Sequence, residues 1–204
     1  MPKIVPIVEG DGDFQAVPIL LRRALAENLN NYAWEIARPK IAHSLPALRK
    51  RLSDFIRYAQ MEPDCGAILI LLDLDDGCPK EQACLLVEEI RKEYLRCPVA
   101  VVLVHREYEA WFLASAESLR GYHNLQEDLH PPESPETIRD AKGWLSEHMP
   151  NGIIYKETSH QPAMTTQMDF ELLKSRSRSF LRLLHALEQL TNSAMPHVTP
   201  DDCG

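Results

Sequence analysis

The acidic residues that could act together in this chain fall in two places. Glu9, with Asp11 and Asp13 just beyond, follows a short apolar run over residues 4–8; Asp73, Asp75 and Asp76 follow a longer one over 67–72. Apolar runs of strand length that end in acids read as buried parallel strands, and in an open parallel sheet the functional groups collect at the carboxyl ends of the strands. If those two ends are neighbours, Glu9, Asp73 and Asp75 converge on one edge. Such a cluster cannot ionise fully without repulsion unless a cation sits among its members. A hard divalent ion with oxygen ligands, Mg²⁺ or Mn²⁺, meets that need. The D-x-D spacing suits it, because Asp73 closes the strand and Asp75 lies in the turn, so both can reach one ion. Asp11 and Asp76 read instead as turn and cap residues.

The elements that must position these acids follow from periodicity. Residues 4–8 read as a strand interrupted by Pro6, leaving the core into a turn over 9–13. A helix is expected from near Ala16, with Pro18 in its first turn and Val17, Leu20, Leu21, Ala24 and Leu25 facing inward. Residues 34–37 form a weak strand. Ser44 caps a second helix that carries Leu45, Leu48, Leu52, Phe55, Ile56 and Ala59 at helical spacing. After the strand at 67–72, Pro79 opens a third helix to about Leu95, and 99–104 is another wholly apolar strand. Alternating strands and helices in this order predict an α/β fold with a parallel sheet. Beyond it the spacing predicts a short helix after Tyr108, a loop over 121–135, a helix over 137–148, a brief strand over 153–155 and a longer helix over 166–190. Residues 1–115 are thus expected to form the α/β core, 116–192 a mostly helical extension packed on it, and 193–204 a flexible tail. Lys174, Arg178 and Arg182 stand at i, i+4, i+8, a solvated helix face or a strip that could follow a nucleic-acid backbone.

Composition narrows the class. Of 204 residues, 45% are hydrophobic and the net charge is −8, which excludes a disordered chain. No apolar run approaches the roughly 18 residues a membrane span needs. The N-terminus lacks the apolar stretch and cleavage site of a signal peptide. Five cysteines without a C-x-x-C pair suggest neither a zinc site nor a disulfide framework. The expected compartment is the cytoplasm. The acidic total argues against autonomous, tight nucleic-acid binding, since phosphate contacts need Lys and Arg.

Val8-Glu9-Gly10 followed by Asp13, and then Leu72-Asp73-Leu74-Asp75, resembles a Toprim domain. That is the metal-binding fold shared by topoisomerases, bacterial primases and the nucleases of the overcoming-lysogenisation-defect group. With Tyr108-Glu109-Ala110-Trp111 and Tyr155-Lys156 added, the pattern is similar to a small stand-alone Toprim-like family. Its members tend to be encoded beside an AAA-type ATPase and are suspected of antiviral roles. The resemblance implies a parallel sheet sandwiched by helices and Mg²⁺- or Mn²⁺-dependent phosphodiester cleavage of nucleic acid, DNA ahead of RNA, with an ATPase partner. It implies that Glu9 is a general acid/base or metal ligand, that Asp73 and Asp75 are the metal pair, that Asp13 takes the place of a second acid ligand, usually Glu, and that Lys156 stabilises the pentavalent phosphate. Glu107 and Glu109 either join the metal site or start a helix, and His105 ends a strand. Two other readings stay open. The run 68–73 also resembles the phosphoacceptor strand of a receiver domain, although His105 stands where a receiver has Thr or Ser. The chain could also be a non-catalytic Toprim subunit that binds an ATPase.

Overall fold

The computed structural model describes residues 1–150, 152–193 and 195–199. Six parallel strands form one sheet: β1 (Lys3–Val8), β2 (Glu35–Ile36), β3 (Lys40–Ile41), β4 (Cys65–Leu74), β5 (Val99–His105) and β6 (Val198–Thr199). The order is β2-β1-β4-β5-β6, with β3 also pairing with β1. The helices are α1 (Asp11–Glu27), α2 (Leu45–Lys50), α3 (Leu52–Gln60), α4 (Pro79–Ile90), α5 (Ala110–Ala114), α6 (Ala141–Glu147), α7 (Glu157–Thr165), α8 (Phe170–Arg176) and α9 (Arg178–Asn192). The chain is therefore α/β, with helices on both sheet faces and a helical C-terminal region.

The continuous apolar runs are explained by burial of both faces. Along β4, Ala67, Leu69 and Leu71 join one core cluster with α1, α5, α8 and α9, while Ile68, Ile70 and Leu72 join a second with α2, α3 and α4. Ala100, Val102 and Val104 of β5 face the first cluster; Val99, Val101 and Leu103 face the second. Strand side chains alternate between faces, so a strand covered on both sides needs apolar residues at every position. Asp73 continues the alternation Leu69, Leu71 and so emerges on the side covered by α1 and the C-terminal helices.

Several boundaries differ from expectation. α1 begins at Asp11, not near Ala16, because Asp13 accepts a hydrogen bond from the Gly10 N–H at 3.1 Å and organises the first turn. Pro18 therefore lies inside the helix. The single helix expected from Ser44 breaks at Arg51 into α2 and α3. The third helix ends at Ile90. No strand forms over 153–155, where the Tyr155 N–H is taken by the Ser146 hydroxyl at 3.1 Å. The long helix over 166–190 is replaced by α8 and α9. Asp169 caps α8 through the Glu171 and Leu172 N–H groups, and Ser177 restarts the helix by accepting from the Phe180 N–H. Lys174 consequently sits on a different helix from Arg178 and Arg182, and it pairs with Glu171 at 2.7 Å, so the basic strip does not exist as one face. Within the expected tail, Val198 and Thr199 are buried and pair with Val99 and Ala100, giving those residues a ladder and a core contact instead of freedom. The remainder of that tail, 194 and 200–204, lies outside the described residues. No helix is long and apolar enough to cross a membrane among the described residues.

The C-terminal helices share the core of the sheet. Trp111 of α5 is fully buried, packs edge-on against Phe180 of α9 with centroids 5.8 Å apart, and donates its Nε1–H to the Ser179 hydroxyl at 2.8 Å. Sheet and extension should therefore unfold in one transition, with fluorescence and far-UV circular dichroism coinciding in a urea titration. Phe180→Ala should cost about 3–5 kcal/mol by leaving a cavity. Separate transitions for the two probes would contradict a shared core.

Candidate active site

The carboxyl ends of β1 and β4 lie side by side, with Ile7 paired to Ile70. This adjacency brings the two acidic segments to one edge of the sheet. Glu9 follows β1 and is held by a hydrogen bond from the Asp73 backbone; burial, Asp13 and Asp75 outweigh that bond and push its carboxyl up to about 7. Asp73 is raised well above the usual carboxylate range, first by burial and then by the charges of Asp13, Glu109 and Glu9. Asp75 lies exposed in the following turn, where its charge reaches Glu9. The turn itself is pinned: Arg106, in the left-handed region at φ 73°, donates its N–H to the Leu74 carbonyl, and its guanidinium meets Asp76 at 2.9 Å beside Arg139 at 3.0 Å. Asp76 thus has the structural role expected of it.

Asp13 belongs to the cluster, but both of its oxygens are engaged. One accepts the Gly10 N–H; the other accepts Nε2 of Gln161 at 2.7 Å. Burial raises its pKa first, and these two bonds pull it back. Gln161 comes from α7, which packs directly on the first turn of α1. Gly12 makes that approach possible, because a Cβ there would stand 2.0 Å from the Gln161 Oε1 and 2.8 Å from the Glu157 Cβ. Farther along, Arg23 of α1 donates to the Thr165 and Met168 carbonyls at 2.7 and 3.0 Å and ties down the end of α7. Thr165 in turn bonds the buried Tyr108 hydroxyl at 2.9 Å.

Glu109 is the most enclosed acid, 1% exposed. The Tyr155 hydroxyl donates to its Oε1 at 2.9 Å, and burial carries its pKa to about 8 despite Lys142 and that hydrogen bond. Glu107 instead accepts the Ala141 and Lys142 N–H groups at the start of α6, at 3.0 and 3.3 Å. His105 closes β5.

The cation facing this cluster is Lys142, not Lys156. Its charge acts on Glu9, Asp13, Asp73, Glu107 and Glu109, and its ammonium meets Glu157 at 2.5 Å. Burial lowers its pKa, but Glu109, Glu157 and Glu107 outweigh burial and hold it above the usual lysine value. Lys156 is exposed; its backbone N–H donates to Nδ1 of His160 at 2.7 Å. Lys142 and Gln161 had no motif in the sequence, since only the packing of α6 and α7 against the strand ends brings them in, whereas Tyr155 belongs to a segment that carries the resemblance.

The donor set suits a hard divalent ion: oxygen-only, crowded and short of positive charge. Glu9, Asp73 and Asp75 are the acids whose oxygens could serve, whereas Asp13 is already committed to Gln161 and Gly10. Among the described residues, no three or more His, Cys, Asp or Glu side chains stand in an arrangement that would hold a metal ion.

Two outcomes follow from this geometry. Glu9 and Glu109 bind protons more tightly folded than unfolded, so the stability these two groups contribute is full below about pH 4.5 and is lost as pH rises through about 7 to 8. Glu109→Gln, neutral at every pH and still able to accept the Tyr155 hydroxyl, should flatten that decline in melting temperatures taken between pH 5 and pH 8; an unchanged slope would count against it. Gly12→Ala should destabilise despite a helix-propensity gain of up to about 1 kcal/mol, because overpacking costs about 1–3 kcal/mol. Urea denaturation measures the balance, and a more stable variant would refute the close contact of α1 and α7.

No curated protein and no solved structure matches the chain. A family model described as a domain of unknown function, DUF4276, matches residues 8–188, which include Glu9, Asp13, Asp73, Asp75, Glu109, Lys142 and Tyr155. With nearly the whole fold covered, from the end of β1 into α9, the chain belongs to the DUF4276 family.

Proposed function

We propose that this protein is a Mg²⁺- or Mn²⁺-dependent phosphodiesterase acting on nucleic acid in the cytoplasm, with DNA as the preferred substrate and an AAA-type ATPase as partner in antiviral defence. One observation carries the chemical part of the reading: the adjacent carboxyl ends of β1 and β4 bring Glu9, Asp13 and Asp73 to one edge, where burial first and neighbouring acids second raise their carboxyls above the usual range. Perturbed carboxylates gathered at such an edge are characteristic of functional sites. Glu9, Asp73 and Asp75 would hold the ion, which when bound supplies Lewis-acid polarisation of a phosphate and a more acidic water.

The chain's own residues have separate tasks in this reading. Glu9, with a pKa near 7, is poised to take or give a proton at neutral pH. Asp13 keeps α1 and α7 in register through Gln161. Glu109 stays largely protonated near neutrality and, with Tyr155, forms the dry wall of the site. Lys142 offers positive charge to a phosphate, the task the resemblance gave to Lys156. Lys156, being exposed, is left for an outer contact with the nucleic-acid backbone. The net charge of −8 favours a partner that supplies the basic groove, and the ATPase and the defensive role rest on the Toprim-like resemblance.

Thermal melts and cleavage assays test the proposal together. Mg²⁺ should raise the melting temperature of the wild type by linkage, while Asp73→Asn should melt higher than the wild type without metal and lose the Mg²⁺ shift. Cleavage of plasmid and single-stranded DNA should require Mg²⁺ or Mn²⁺, rise when the ATPase is added, and fall about a hundredfold or more in Glu9→Gln. Cleavage that persists in chelator, or an equal Mg²⁺ shift in Asp73→Asn, would overturn the reading.

A further inference from the structure

On the far edge of the sheet, β6 pairs with β5 at Val99 and Ala100 among the described residues. Beyond that point a cavity of about 60 Å³ opens between α4, α9 and β5, with Val101 and Leu103 in its floor. The space is several times what one water molecule needs. Its lining carries two cations, Lys80 and Arg182, beside His185 and the neutral Gln189 and Thr199. Lys80 comes from the first turn of α4, Arg182 and His185 from successive turns of α9, and no Asp or Glu lines the cavity among the described residues. In a chain of net charge −8, Lys80, Arg182 and His185 make no ion pair or hydrogen bond among the described residues. A second observation is independent of charge. Thr199 lines the same cavity, is 1% exposed, and its hydroxyl finds no hydrogen-bond partner among the described residues. A buried hydroxyl left unpaired costs about 1–3 kcal/mol, so its place in a native fold asks for a partner.

We propose that this cavity is a phosphate-binding site, taking a tetrahedral phosphoryl oxyanion either free or as part of a nucleic-acid backbone. The guanidinium of Arg182 offers a fork of donors that matches two phosphate oxygens. Lys80 and His185 supply donors from the other sides, and the Thr199 hydroxyl donates from the floor. The start of α4, a twelve-residue helix, adds the positive end of its dipole. The apolar floor excludes water and strengthens these contacts. Asp75 and Asp76 lie in the turn that leads into α4, so an anion held here sits beside the loop carrying part of the acidic site.

The site is tested by calorimetry on the intact, metal-free protein in chelator at fixed ionic strength, with inorganic phosphate and then a short single-stranded oligonucleotide as titrants. Wild type should bind inorganic phosphate saturably. Lys80→Gln and Arg182→Gln should each weaken it about tenfold or more, as loss of one charge-assisted hydrogen bond implies, and Thr199→Val should weaken it less. Lys80, Arg182 and Thr199 all lie outside the apolar core clusters, and melting curves confirm that each variant folds. An oligonucleotide that competes with phosphate identifies the backbone as the source; one that does not identifies the free ion. Absence of saturable phosphate binding, or equal affinity in the Lys80→Gln/Arg182→Gln double variant, would overturn the proposal. Because no metal is present and binding alone is read, that failure would leave the reading of the acidic site untouched.

Discussion

The structure depends on the burial of acidic side chains at the ends of β1 and β4, and on the groups that accommodate them. Glu9, Asp13, Asp73 and Glu109 are withdrawn from water, and each raises the cost of ionising its neighbours. Withdrawing several acids from water at one edge has a cost in free energy. It is contained in three ways: Lys142 places a positive charge among them, Gln161 and Tyr155 donate to Asp13 and Glu109, and the first turn of α1 turns Asp13 into a helix-organising residue. What remains uncompensated shows as raised pKa values, with burial the leading cause at each acid.

That constraint explains why the C-terminal half of the chain is folded as it is. α6 exists where it does because Glu107, at the end of β5, accepts the first N–H groups of the helix, and this sets Lys142 facing the acids. α7 reaches Asp13 because residue 12 has no side chain, and Arg23 fastens the end of the same helix to α1. α8 and α9 then close the core over Trp111 and Phe180. The helical extension is thus the wall of the site, built by short polar contacts on a continuous apolar core.

Much of the sheet is legible in the sequence because burial on both faces leaves a mark that needs no partner to be known. The apolar runs at 4–8, 67–72 and 99–104 find their places, and the two acidic strand ends meet as neighbours. What escapes is set by local capping or by distant chain. Asp11-Gly12-Asp13 reads as a turn, yet the Asp13 bond to Gly10 makes it helix. Asp169 and Ser177 divide a periodic run into two helices, since a side-chain oxygen offers the backbone an alternative that periodicity does not register. Val198 and Thr199 become a strand by pairing with Val99 and Ala100 of β5, nearly a hundred residues away in the chain. The resemblance implies Lys156 as the cation of the site; the strand expected before it does not form, and Lys142, which no spacing distinguishes, faces the acids.

The central claim is that Glu9 and its neighbours form one electrostatic unit whose protons a divalent cation would displace. Carbon-13 NMR titration of the side-chain carboxyl groups, in chelator and then in Mg²⁺, measures this directly. The account predicts that Glu9 titrates near pH 7 without metal, and that Mg²⁺ moves its midpoint down together with that of Asp73. Glu9 titrating in the ordinary glutamate range, about 4.3, with no response to Mg²⁺, would contradict it.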